Sequence, residues 1–233
     1  MDRPLAVIKT RAEAPQDMSA TQERDRVARI AGSNSASALR IARNIDDPWF
    51  RCQALAYVAW NTANHKRFLG LVAESLESGW SIRDANRSVT VIAWPVAALA
   101  KRNYSRPDAM KRSVGILREV ITQLTEVIAK EPNPASRADA LMLHIHALSP
   151  SRRELRKGLL GLLVKECRDA TNRKRQRQLE EAAMVIAPDD LDAALGLIES
   201  LDENRKRRMT ATIEAQWEGL GPRQFFEKSG EVG

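Results

Sequence analysis

Two runs of positive charge carry the clearest chemical potential in this chain: Arg173-Lys174-Arg175 with Arg177, and Arg205-Lys206-Arg207-Arg208. Each stands in the first turn of an expected helix. Cations there oppose the helix dipole at a cost of about 0.3–1 kcal/mol, whereas an anion is favoured by the dipole and by unpaired backbone N–H groups. Packed helices lie about 8–10 Å apart, so neighbouring helix pairs would merge the two runs into one ridge. Arg152 and Arg156, with Arg153 and Lys157, open a nearby helix and would extend it. Such a ridge is built to receive a negatively charged partner, with Arg173, Lys174, Arg177, Arg205, Lys206, Arg208, Arg152 and Arg156 as its candidate contacts. Acids alongside support a different reading: Asp169, Asp202, Glu203, and Glu181 four residues after Arg177 would make the same charges an ordinary solvated face.

Other residue types offer less chemistry. His144 and His146 are two apart, about 200° around a helix, so they do not form the one-face pair that chelates an ion. His65 stands by itself. Asp46-Asp47 and Asp189-Asp190 sit where helices end or begin, which is the place of an N-cap. No GxSxG, P-loop, GxGxxG or HExxH pattern occurs, so no catalytic residue, cofactor-binding residue or metal ligand is assigned and no cofactor is expected. Cys52 and Cys167 are far apart and suggest neither a disulfide framework nor a zinc site. Of five tryptophans, Trp60, Trp94 and Trp217 close helices and read as caps on a core, while Trp49, directly after Pro48 in a turn, is the candidate for an aromatic surface contact.

These side chains must be positioned by helices. Period-two alternation is not sustained anywhere, while apolar spacings of three and four recur along the chain. The clearest stripe is Met110, Val114, Leu117, Ile121, Leu124 and Ile128, on one long helix near 107–130 that follows Arg106-Pro107 and ends at "KEPNP". Helices are expected at 19–31, 36–45, 48–61, 65–77, 82–100, 107–130, 135–148, 151–167, 172–186, 189–200 and 204–218, joined by loops short enough to favour antiparallel neighbours. Residues 1–19 and 220–233 read as a flexible N-terminus and a C-terminal tail around one helical domain at 20–219.

The helices also repeat. "ALRIARNIDD" from Ala38 parallels "ALGLIESLDE" from Ala194, and "LGLVAESLES" from Leu69 and "LGLLVKECRD" from Leu160 onward, after the leucine at 159, follow the same plan. The segments after them match as well: "DDPWFRCQALAYVAW" and "DENRKRRMTATIEAQW" share two acids, a bend, an arginine and, nine residues on, a tryptophan. The second helices end at Trp60 and Trp94, spaced by 34, and at Ile186 and Trp217, spaced by 31. Helix-turn-helix periods of this length resemble the broad class of α-helical repeat proteins, the HEAT, armadillo and tetratricopeptide-like solenoids. That resemblance implies an all-α, right-handed solenoid of about four to five antiparallel helix pairs, and a non-enzymatic scaffold or adaptor that binds a protein partner.

The alternative, resting on the basic runs, is nucleic-acid binding through the C-terminal ridge. Some HEAT-like proteins of similar length are DNA glycosylases for alkylated bases, but no motif here carries their catalytic residues over. The stripe on 107–130 would also serve homodimerisation. The charge of +7 at neutral pH makes neither half basic as a block, with 16 basic against 11 acidic residues through Met110 and 21 against 19 after it. The lack of a disulfide framework points to the cytoplasm, and no apolar run approaches the roughly 18 residues of a membrane span, so no membrane partner is expected.

Overall fold

A computed structural model describes residues 19–148, 152–167, 173–187 and 190–215. The ends expected to be flexible lie outside the described residues, apart from Ser19. Among the described residues there are eleven helices and no strand: α1 (Ala20–Ile30), α2 (Ser35–Asn44), α3 (Pro48–Trp60), α4 (His65–Trp80), α5 (Ala85–Lys101), α6 (Pro107–Ile128), α7 (Pro134–Ala147), α8 (Arg153–Cys167), α9 (Arg173–Ile186), α10 (Leu191–Ile198) and α11 (Glu203–Ala215). The all-α class and all eleven expected helices are observed. No described helix is long and apolar enough to cross a membrane.

Short polar side chains set the helix starts. Ser19 forms a capping box with Gln22, and Asn34, Asp47, Asn64, Asp84, Asn133 and Asp190 each accept a first-turn amide. Proline at the first position of α3, α6 and α7 presets the backbone where its missing N–H costs nothing. Asp47 and Asp190 thus do the capping their positions indicated. Arg153 bonds the Asp190 carboxylate and, with the Ala193 amide, holds it below the usual carboxylate range.

Each odd-numbered helix packs on the next odd-numbered one, giving an unbroken row from α1 to α11, and the even-numbered helices lie against that row. The row is covered on most sides at its centre. Every side chain is buried from Cys52 to Ala56 in α3, from Pro95 to Ala100 in α5, and from Ala140 to Ala147 in α7. Buried runs without a polar face mark helices enclosed by neighbours, and the alanines in them leave room for close axes.

Where α3, α4 and α5 meet, backbone groups are satisfied by small side chains. Pro95 inside α5 removes the amide that would bond the Val91 carbonyl. The Cys52 thiol donates to that carbonyl instead, at 3.7 Å, and burial pushes its pKa up to about 12. Ser75 donates to the Cys52 carbonyl at 2.7 Å, Ser88 to the Gly79 carbonyl at 2.9 Å and Ser78 to the Pro48 carbonyl at 3.1 Å. Arg51 closes α2 by donating to the Ile45 and Asp46 carbonyls.

Several sequence expectations shift, most of all at α4, α5 and α6. α4 runs on to Trp80, a turn beyond the expected end at 77, because Gly79 lies within the helix as a contact point for α5 rather than at a stop. α5 begins at Ala85 because Asp84 caps the Arg87 amide at 2.7 Å. The long helix is also rolled about its axis. Its buried side is Ser113, Leu117, Val120, Leu124 and Ile128, Val114 and Ile121 are half-buried, and Met110 is 47% exposed. The chief partner of α6 is α5, and contact with it selects that face.

Candidate functional site

The C-terminal basic run is largely answered by acids. Arg205, in the first turn of α11, lies 3.5 Å from Glu180 of α9 and also meets Asp202, which caps its amide. Arg208 donates to the same Glu180 at 3.1 Å, and Lys206 pairs with Glu199. Arg177 is exposed on α9, while the side chains of Arg173 and Lys174 lie outside the described residues. Arg152 and Arg156 do not extend an exposed ridge. They are 8% and 5% exposed, and Arg156 donates to the Val185 carbonyl at 3.1 Å, locking α8 to α9. Spacing showed that these arginines open a helix, but not that the α9 face lies over them.

Glu180 is the hub of this surface, its side chain only 15% exposed. Glu180→Gln should therefore release Arg205 and Arg208, raising the salt concentration at which the protein elutes from a heparin column. The same variant should lose roughly 1 kcal/mol of stability, the scale of a partly exposed ion pair. Unchanged elution would mean that Glu180 does not neutralise the ridge.

Trp49 packs against the core with one ring face under Arg87, 5.5 Å from guanidinium to ring centroid. Its amide donates to Asp47 at 2.8 Å. Trp60 and Trp94 are half-buried against the core, with Trp94 on Tyr57 at 5.3 Å, and Trp217 lies outside the described residues. The arginine shared by the two echoed segments has different work in each copy. Arg51 bonds backbone carbonyls, whereas Arg208 meets a carboxylate.

A second cationic feature lies between α4 and α6. A cleft of about 440 Å³ lies between the starts of α4 and α6, and its wall includes Lys66, Arg102, Arg106 and Arg112 against a single carboxylate, Asp108. Asn64 caps α4 through the Arg67 amide, so by helical geometry the His65 and Lys66 amides have no partner within the helix. Arg106, at the N-cap of α6, makes no side-chain capping bond and instead pairs with Asp108 at 2.9 Å. Arg102 is fixed by the Ala63 carbonyl at 2.9 Å and by the Phe68 ring at 4.2 Å.

Two rings, His65 and Tyr104, are part of the cleft's lining. His65 stands edge-on to Tyr104 at 5.7 Å, and Tyr104 donates to the Leu99 carbonyl. Burial, and after it the charges of Arg102 and Arg112, hold the His65 imidazole below its ordinary pKa. A groove of about 590 Å³ continues past Tyr104 and Ser105 along Met110, Val114 and Gly115, flanked by Lys111 and Arg118. No charge run betrays this site, because its cations are dispersed from Lys66 to Arg112 and are gathered only by helix packing.

Chemically, the cleft presents donors and positive charge without a nucleophile paired to a base. Among the described residues no group of three or more His, Cys, Asp or Glu side chains is placed to hold a metal ion. Compared with protein-family models, with curated proteins and with solved structures, the chain matches none.

Proposed function

We propose that this protein is a non-enzymatic α-helical repeat module, a solenoid-type scaffold or adaptor that binds a protein partner. The observation that carries this reading is the packing of the echoed segments. The first helices of the four sequence copies are α2, α4, α8 and α10, the second helices are α3, α5, α9 and α11, and each pair is in contact. The second helices, with α1 and α7, belong to the continuous row, an arrangement that supports this reading because repeat arrays bury by stacking the faces that a single helix pair leaves open. Two surfaces suit a partner: the groove beside Met110, since exposed methionine adapts to varied apolar shapes, and the charged α9–α11 face.

Photo-crosslinking residues placed at Met110 and at Arg208 in cells test the reading. One protein should be trapped at one of these faces and should form a stoichiometric complex when both are purified. Failure of the purified pair to associate, or cross-links at neither face, would overturn it. Nucleic acid trapped in place of protein, with affinity falling steeply as salt rises, would transfer the function to the nucleic-acid alternative.

A further inference from the structure

We propose that the cleft between the starts of α4 and α6 is a binding site for a phosphate group. The charge balance is the first reason. Lys66, Arg102, Arg106 and Arg112 share one cavity with only Asp108 to offset them, and Asp108 is already engaged by Arg106. Like charges gathered in a concave wall raise the local potential and repel one another until an anion enters. The His65 ring registers that potential: burial is the main reason its pKa is lowered, and the charges of Arg102 and Arg112 come next, with Asp108 acting in the opposite direction.

Geometry is the second reason. The cations come from three segments: Lys66 from α4, Arg102 and Arg106 from the α5–α6 connection, and Arg112 from the second turn of α6. A carboxylate offers two oxygens in one plane and suits a single guanidinium fork. A phosphate monoester offers three oxygens spread over a hemisphere and carries nearly two charges, which suits a cleft whose cations are contributed by several segments. The starts of both helices line the same cleft, so the amides of His65 and Lys66 and the positive ends of two dipoles act with the side chains. Arg102 is held ready by Ala63 and Phe68, which lowers the ordering cost of binding.

Asp108 is the built-in competitor. Its carboxylate sits on Arg106 at the mouth of α6, where an incoming phosphate would bind, so removing its charge should tighten the site. This inference does not depend on the interaction-module reading, since a phosphate could arrive on a protein partner or on a small molecule.

The test is a titration of the full-length, isotope-labelled protein with inorganic phosphate, sodium chloride holding ionic strength constant. Saturable shifts are expected at the amides of His65, Lys66, Asp108 and Ala109, together with a rise in the His65 ring pKa as the anion neutralises its surroundings. Lys66→Glu combined with Arg112→Glu, both on exposed side chains, should abolish these changes, while Asp108→Asn should tighten binding by about tenfold. A phosphoserine peptide binding more tightly than inorganic phosphate supports the site with a protein-borne source, and equal binding supports it with a small-molecule source. Linear, unsaturable shifts, or shifts that persist in the double variant while its melting temperature is unchanged, would overturn the proposal.

Discussion

Acidifying the protein from about pH 7 to about pH 4.5 should remove about 2 to 3 kcal/mol of stability through one side chain, His144. The imidazole is wholly buried in α7, and its Nε2 donates to the Val89 carbonyl of α5 at 2.7 Å. The Nδ1 atom is buried without a hydrogen-bond partner, so a second proton would place a full charge in the apolar interior. Burial accordingly lowers the His144 pKa from 6.5 to about 4. Because the folded-state value lies below the unfolded one, the stabilisation is fully present above the unfolded pKa and is lost as pH falls from about 6.5 through about 4.

Denaturant unfolding curves at a series of pH values measure this directly. His144→Gln keeps a donor within reach of the Val89 carbonyl but cannot titrate, so its stability should fall less steeply than the parent's between about pH 6.5 and pH 5, above the range where most carboxylates protonate; His65, whose pKa is also lowered, keeps a residual slope in both proteins. Parallel slopes for the two proteins would show that His144 is not the titrating group.

The second large effect is steric. A Cβ built on Gly79 would stand 2.8 Å from Ile92 Cγ1, 3.2 Å from Cys52 Sγ and 3.3 Å from Val91 Cγ1. All three belong to helices packed on α4, and none is the free end of a long side chain. Gly79→Val should therefore force α5 and α3 apart and cost about 3 kcal/mol. Gly70 on the same helix supplies the contrast, since a methyl group added there would meet nothing within 4 Å and Gly70→Ala should stabilise the protein by roughly 0.5–1 kcal/mol. Equal melting temperatures for Gly79→Val and the parent protein would contradict the close crossing at that point.

The helices were legible in the sequence because their signals are local. Period, caps and proline at the first turn act within a few residues, so α2, α3 and α6 begin within a residue of the positions expected. The errors arose where a neighbour overrode a local signal. Gly79 is helical because α5 needs the space, and α6 presents Val120 rather than Met110 to the interior because of how α5 meets it. Arg152 and Arg156 show the same limit in charge: adjacency in sequence placed them beside the basic runs, and the packing of α8 and α9 placed them inside.

By itself, the sequence determined the all-α class, the order of the described helices and the capping carboxylates Asp47 and Asp190, since each depends on residues a few positions apart, and it displayed the echoed segments as direct likenesses of residue type. Tertiary structure alone decided which charges are spent on one another, as at Glu180 with Arg205 and Arg208, and which are collected without an answering acid, as at Lys66, Arg102 and Arg112. Electrostatic interaction depends on distance in space rather than along the chain, so a cluster drawn from three segments comes into being only when the helices pack.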